Sequence, residues 1–228
     1  MSPLEMGVPG HVLATGRGLE LPFSRRKWIG LKCHLRGLPL VADLEMHLGR
    51  DGYVGLARVE EDLVNVCGLF RTSYGGRLSK TALLFDYISR MGNAALVERL
   101  RRAEPDLASF SAVTGFKLGE RQTWSGIELC EIGDAERMIP PFTGNGMSMA
   151  FQAAELAVDP LARWSEGTLP WNDCLAAVRT TLNGKFQRRM KAASLMHPLL
   201  FRSAGRRLIS SLGLSGLLPF RPLISLVR

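Results

Sequence analysis

The sequence predicts an α+β (mixed α/β) fold: an antiparallel sheet with an inserted helix, followed by long helices. Three observations carry this expectation. Apolar runs bounded by turn residues fill 27–70, and Asp51-Gly52 joins two of them, a good hairpin signal. Helical spacing follows from Thr81 to Arg102, where Leu83, Leu84, Tyr87 and Ile88 recur and most charges fall elsewhere. Beyond a loop rich in Gly and Pro, helical patterns run to the C-terminus, giving the order strands, helix, strands, loop, long helices.

Each element has its own local reason. His11 to Gly18 reads as a short strand running into a glycine turn. Lys27–Arg36, Ala42–Gly49, Tyr53–Glu60 and Leu63–Phe70 read as the strands of the sheet. The helix from Thr81 breaks near Gly92. Ser111–Lys117 and Thr123–Ile132 return to strand character. The loop spans Gly133–Gly146, and Met147–Val158 behind it has no Gly or Pro and four alanines, so it packs as a close-fitting helix. Pro170 suits the first turn of the next helix, whose apolar face is Trp171, Cys174, Leu175, Val178, Leu182 and Phe186. His197-Pro198 ends or kinks it.

Composition bounds the function. With 228 residues, 46% hydrophobic and 22% charged, the chain can build a sizeable core, which excludes a collagen, a disordered tail or a disulfide-stapled miniprotein. No window of 18 uncharged apolar residues exists, so no transmembrane helix is expected. The N-terminus lacks the pattern of a signal peptide, and Cys33, Cys67, Cys130 and Cys174 show no C-x-x-C pair, so a reduced, cytoplasmic chain is expected. The net charge of +8 is concentrated late. Pro160–Arg228 holds eleven basic and two acidic residues, and none of the acids lies after Asp173. Arg188-Arg189-Met190-Lys191 and Arg202 to Arg207 alternate with Leu, Phe and Ile. That pattern suits a solvated helical cap or peripheral contact with an anionic membrane. No nucleic-acid-binding motif accompanies it.

The chemistry concentrates in Cys130–Ala150. A buried strand ends at Gly133, and Asp134 follows at the edge where ligands dock on α/β sheets. A rigid Pro140-Pro141 segment leads to Gly144-Asn145-Gly146, which opens a helix. Glycines let backbone N–H groups approach a ligand, and a helix N-terminus favours negative or electron-rich groups. A carboxylate accepts hydrogen bonds from hydroxyls. Together they suit a polyhydroxylated cofactor with an electron-rich ring.

Gly133-Asp134-Ala135, followed by Pro141 and Gly144-x-Gly146, resembles the second flavin fingerprint of the FAD-dependent family. That family contains aromatic hydroxylases, ubiquinone-pathway hydroxylases and geranylgeranyl reductases. The resemblance implies FAD as cofactor, with NADH or NADPH as reductant. It counts Gly133 among the cofactor-binding residues and gives Asp134 the ribityl chain, Gly144, Asn145, Gly146 and Met147 the pyrimidine edge, and Pro141 the ring. Ala14-Thr15-Gly16 looks like the strand end that returns to the cofactor. Hydroxylases often carry His where this chain has Arg137, which favours the reductase-like branches. Trp28-Ile29-Gly30 does not match the W-x-W-x-I-P signature of tryptophan-type halogenases.

The resemblance also divides the chain. Residues 1–26 correspond to the end of the FAD-binding domain, 27–128 to the substrate-binding sheet and helix, 129–160 to the second half of the FAD site, and 161–228 to a basic helical cap. The family's opening G-x-G-x-x-G unit, which binds the pyrophosphate, has no counterpart here. The chain therefore resembles a flavoprotein truncated at its N-terminal side, which leaves two expectations open: an inactive fragment of such an enzyme, or one subunit of a split enzyme whose partner is a separate N-terminal FAD-binding half. An apolar sheet with few paired charges points to a hydrophobic substrate such as an isoprenoid, a quinone precursor or a polyketide.

Other residues read more plainly. Asp43, Glu45, Met46 and His47 share a strand, with Glu45 and His47 on one face, as a rim rather than a reacting centre; His34 reads the same way. No His/Cys/carboxylate cluster has metal-ligand spacing, so no metal is expected. No Gly-x-Ser-x-Gly elbow is present. Met138, Met147 and Met149 are expected in the core. No catalytic acid or base stands out.

Overall fold

The computed structural model describes residues 9–16, 27–72, 80–114, 129–217 and 219. Its strands are β1 (Val12–Leu13), β2 (Lys27–Arg36), β3 (Leu44–Gly49), β4 (Gly52–Arg58), β5 (Leu63–Thr72), β6 (Glu104–Thr114) and β7 (Cys130–Glu131). Its helices are α1 (Lys80–Arg90), α2 (Ala94–Arg101), α3 (Gly146–Ser165), α4 (Trp171–Phe201) and α5 (Ser203–Leu214). Two compact units result. One takes in Met1–Gly18, Lys117–His197 and Pro219–Arg228, the other Leu19–Phe116 and Pro198–Leu218.

The second unit is built on a five-stranded sheet in the order β3-β4-β5-β2-β6, antiparallel throughout. β2 and β5 pair without interruption from Lys27↔Thr72 to Arg36↔Leu63. Side chains alternate across a strand. Ile29, Leu31, Cys33 and Leu35 of β2 are therefore buried, with Val54, Leu56, Val64, Val66 and Phe70, against Leu84, Tyr87 and Ile88 of α1 and Leu96, Val97 and Leu100 of α2. Trp28, Gly30, Lys32 and His34 point to the opposite face and are half-buried.

The turns follow their chemistry. Arg50 and Asp51 connect β3 to β4, and Asp51 takes the left-handed backbone (φ 57°) that Asp tolerates. The expected helix break falls at Gly92 (φ 91°), and the Asn93 side chain accepts a hydrogen bond from the Leu96 N–H to start α2.

β6 corrects the expected strand Ser111–Lys117. It begins at Glu104, directly after the α2 cap, and ends at Thr114. Pro105 and Asp106 hid it, but Pro is tolerated at the start of an edge strand, and β6 is an edge. A bulge opposite Lys32 and His34 takes up the irregular register. The remainder of the expected strand, 115–117, lies outside the described residues, as do 123–128 of the strand expected over Thr123–Ile132. Of that second strand, Cys130–Glu131 is paired.

In the first unit, β1 and β7 pair in parallel, Val12↔Cys130 and Leu13↔Glu131. α3 and α4 pack around Met149, Ala153, Ala157, Trp171, Cys174, Leu175, Val178, Leu182 and Phe186. The expected apolar face of α4 is buried at every named position. Trp164 and Trp171 meet edge to face at 5.0 Å, and Arg189 donates to Gln152 Oε1 at 2.9 Å.

Both helices outrun their prolines. α3 continues through buried Pro160, and α4 through Pro198 instead of ending there. Ala153, Ala157 and Pro160 lie at successive helical turns on the buried stripe. Packing there offsets the missing N–H, which by itself costs about 3 kcal/mol. Among the described residues no helix is long and apolar enough to cross a membrane.

Candidate functional site

The segment after β7 folds as two single turns. Gly133–Ala135 forms a 3₁₀ turn, with the Gly133 carbonyl accepting from the N–H groups of Glu136 and Arg137 at 3.1 Å each. The strand thus ends at Glu131 rather than at the expected Gly133, and Asp134 sits in the turn beyond it. Gly133 has φ 63°, and a Cβ placed there would lie 3.2 Å from Ala150 Cβ on α3. Glycine is needed both for the backbone angle and for the close approach of turn to helix.

Pro141–Thr143 forms the second turn, and Gly144 closes it in the left-handed conformation at φ 67°. Asn145 is the cap residue of α3 without a side-chain cap bond, and α3 starts at Gly146. The first turn of α3 carries no acidic residue, so its N–H groups face outward with the positive end of the helix dipole. Gly146 differs from Gly133: among the described residues outside its own turn, nothing lies within 4 Å of where its Cβ would be. Protein packing does not require glycine there, and the open space is what a group approaching the helix start needs.

These pieces meet. Gly133, Asp134 and Gly146 line one narrow cleft, open to solvent, together with Met149 and Ala150 of α3 and Leu182, Asn183, Phe186 and Met190 of α4. Arg137 also lines it, 3.6 Å from Glu136 Oε1 and donating to Asn183 Oδ1 at 3.5 Å. Pro141, Gly144, Asn145 and Met147 adjoin the cleft in sequence but do not line it. Gly16 follows β1 with φ 72° and does not line it either.

Met147 corrects an expectation. It is 78% exposed rather than in the core, whereas Met149 is buried. Two residues of separation on a helix turn the side chain by about 200°.

Comparison with solved structures gives the fold a context. The flavin-dependent brominase Bmp2 superposes with a TM-score of 0.64 at 18% identity, over 88% of this chain and 50% of that one. A geranylgeranyl bacteriochlorophyll reductase-like protein from Thermoplasma acidophilum gives 0.59 at 18% identity, over 81% and 46%. PqsL, a probable FAD-dependent monooxygenase from Pseudomonas aeruginosa, gives 0.54 at 15%, over 83% and 52%. The chain shares its fold with part of each of these proteins. It spans about half the length of these proteins. No family model matches the sequence, and no curated protein matches it significantly.

The residues present fit a flavin in one respect that the molecule itself displays: the unfilled space before Gly146 shares a cleft with a carboxylate at Asp134. Glu45, considered above as a rim residue, is buried and pairs with Arg99, and His47 Nε2 lies 3.1 Å from it. Among the described residues no three His, Cys, Asp or Glu side chains converge in a way that would hold a metal.

Proposed function

We propose that this chain is the substrate-bearing half of an FAD-dependent oxidoreductase, a monooxygenase or reductase that acts on a hydrophobic small molecule and draws electrons from NADH or NADPH. The observation that carries the reading is the shared cleft of Gly133, Asp134 and the Gly146 helix start. A bound flavin supplies the redox chemistry linking a nicotinamide reductant to oxygen or substrate. The chain's own part is to hold and orient. Asp134 would accept hydrogen bonds from the ribityl hydroxyls, and the N–H groups of Gly146 and Met147 would face the electron-rich edge of the ring beside Pro141. Asn145 and Gly144 shape that approach, and Gly16 ends the strand that returns to the cofactor.

A separate N-terminal half with the pyrophosphate site is the partner this reading requires. Two features support it. Among the described residues β1 and β7 form a two-stranded parallel sheet, whereas parallel sheets belong to larger, covered arrays. α3 also presents Met147, Phe151 and Val158 outward at 78%, 77% and 62% exposure, a stripe suited to a covering domain.

Flavin titration tests the reading, with a G-x-G-x-x-G half supplied in trans or by fusion. FAD binding should appear, and Asp134→Ala should weaken it about ten- to hundred-fold, the value of a charged acceptor's hydrogen bonds. Equal affinity in the variant would reduce the segment to a structural turn and end the assignment.

Peripheral contact of a cytoplasmic protein with an anionic membrane is a second reading, favoured by one observation. Leu208, Leu214 and Leu217 are 58%, 91% and 72% exposed in a segment that also carries Arg206 and Arg207. Full-length protein should co-sediment with anionic vesicles, and Leu208→Glu with Leu214→Glu should abolish this.

A further inference from the structure

We propose that the end of the five-stranded sheet beside α1 binds a phosphate group carried by a compact small molecule, with Arg50 as its main contact and Arg71 and Arg90 flanking it. The site stands apart from the flavin reading, because none of these arginines lines the Asp134 cleft.

Three chain segments build it. The β3–β4 turn brings Arg50 and Asp51, the end of β5 brings Phe70 and Arg71, and the last turn of α1 brings Tyr87 and Arg90. Together they line a cleft of about 170 Å³. Room of that order holds a benzene-sized group. Backbone bonds fix the segments to one another. The Arg50 N–H donates to the Met91 carbonyl at 2.8 Å, and the Arg71 N–H to the Asp51 carbonyl at 2.7 Å. The floor is apolar: the Phe70 and Tyr87 rings stack at 5.1 Å, and both are buried.

Charge decides the sign of the ligand. Three guanidiniums and one carboxylate line the cleft. That carboxylate, Asp51, lies 3.7 Å from Arg71 Nη1, beyond hydrogen-bond length, and Arg71 is also held against the Trp28 ring at 5.3 Å. Arg90 is oriented by Asp86, whose Oδ2 accepts from Nε at 2.7 Å. Asp86 does not line the cleft, so it steers the guanidinium without filling the space. With both carboxylates counted, one positive charge remains. The exposed Arg50 side chain makes no hydrogen bond or ion pair with a described residue.

A helix C-terminus disfavours an anion, but the carbonyls at this one are occupied. Those of Tyr87, Ile88, Ser89 and Met91 accept from the N–H groups of Met91, Asn93, Gly92 and Arg50. The side chains therefore set the local field. Guanidinium forks match the oxygens of carboxylates and phosphates. A carboxylate offers two oxygens in one plane. A phosphate offers three in different directions, which arginines delivered by three segments can use. The Phe70–Tyr87 floor receives the small apolar body behind it.

The test uses the full chain without flavin and phenyl phosphate as probe, titrated by calorimetry. Phenyl phosphate should bind about ten-fold or more tighter than uncharged benzyl alcohol, and inorganic phosphate should displace it. Arg50→Gln should weaken it about five- to ten-fold, and Arg50→Lys should recover only part, since an ammonium lacks the fork. The fold uses the Arg50 backbone, not its side chain, so both variants should melt as wild type does. Arg58→Gln removes an exposed arginine at the other end of β4 and should bind as wild type. No binding, no displacement by phosphate, or an equal loss in Arg58→Gln and Arg50→Gln would overturn the proposal. Vesicles containing phosphatidate separate the two sources of a phosphate group. Vesicle binding that falls in Arg50→Gln, without phenyl phosphate binding, would assign the arginines to a membrane surface and overturn the small-molecule site.

Discussion

Glu45 and Arg99 form a two-pronged ion pair between β3 and α2, Nη1 to Oε2 at 2.6 Å and Nη2 to Oε1 at 2.7 Å. The Glu45 side chain is 6% exposed and that of Arg99 27%. Glu45 Oε1 also accepts from the Val41 N–H at 2.8 Å, and Arg99 donates to the Pro39 carbonyl. One side chain therefore fixes the helix, the edge strand and the loop before it. Removing Arg99 leaves the buried Glu45 carboxylate with only the Val41 N–H and His47 beside it, so Arg99→Ala should lower stability by about 2–3 kcal/mol. Urea unfolding measures this; a loss below about 0.5 kcal/mol would mean the pair contributes nothing.

The same pair gives a pH dependence. The Arg99 hydrogen bonds hold the Glu45 carboxyl at about 2, against an ordinary value of 4.5, with smaller help from Val41 N–H and His47. A depressed carboxylate contributes its full stabilisation above 4.5 and loses it as the pH falls from 4.5 toward 2. Thermal melts between pH 5 and 2.5 should show a slope that flattens in Glu45→Gln. An unchanged slope would assign acid sensitivity to other carboxylates.

Gly49 is the second stability prediction. A Cβ there would lie 2.5 Å from the Met91 carbonyl oxygen, which is itself held by the Arg50 N–H at 2.8 Å. Neither backbone can yield cheaply. Gly49→Ala should cost about 1–3 kcal/mol through overpacking, whereas a wild-type midpoint in denaturant would show that the hairpin end can shift.

Gly133 and Gly146 should separate by phenotype. Gly133→Ala meets both a left-handed backbone and Ala150, and should destabilise the chain by about 1–2 kcal/mol. Gly146→Val meets open space and should leave the far-UV spectrum and midpoint nearly unchanged. Its effect should instead fall on flavin affinity in the fused protein. Reversed phenotypes would contradict the division of labour between the two glycines.

Thiol labelling should single out one cysteine. Cys67 is exposed, while Cys33, Cys130 and Cys174 are buried; desolvation raises all four thiols, that of Cys130 to about 11. At pH 8 one thiol should react in the native state and four after unfolding. Cys67→Ser should remove the native reaction; a second fast thiol would show local opening of the core.

Much of this molecule was legible in the residues because the signals are local. Strand alternation set β2 at Lys27–Arg36, helical periodicity set the buried face of α4, and Gly92 marked the break between α1 and α2. The glycines and prolines after Cys130 marked a loop before a helix, and two single turns lead there into α3. Long-range pairing decided the rest. β6 is a strand because β2 offers it an edge, which Pro105 and Asp106 do not advertise. Pro160 and Pro198 stay helical because tertiary packing outweighs a local penalty of a few kcal/mol, and no local rule contains that balance. Glu45 found Arg99 at a separation of 54 residues, and Lys32 came to stand among Cys67, Asn65 and Ser111 only through register. Sequence fixes what each residue prefers over a few neighbours; which distant residue meets it depends on the free energy of the whole packed arrangement, and that exists only once the chain has folded.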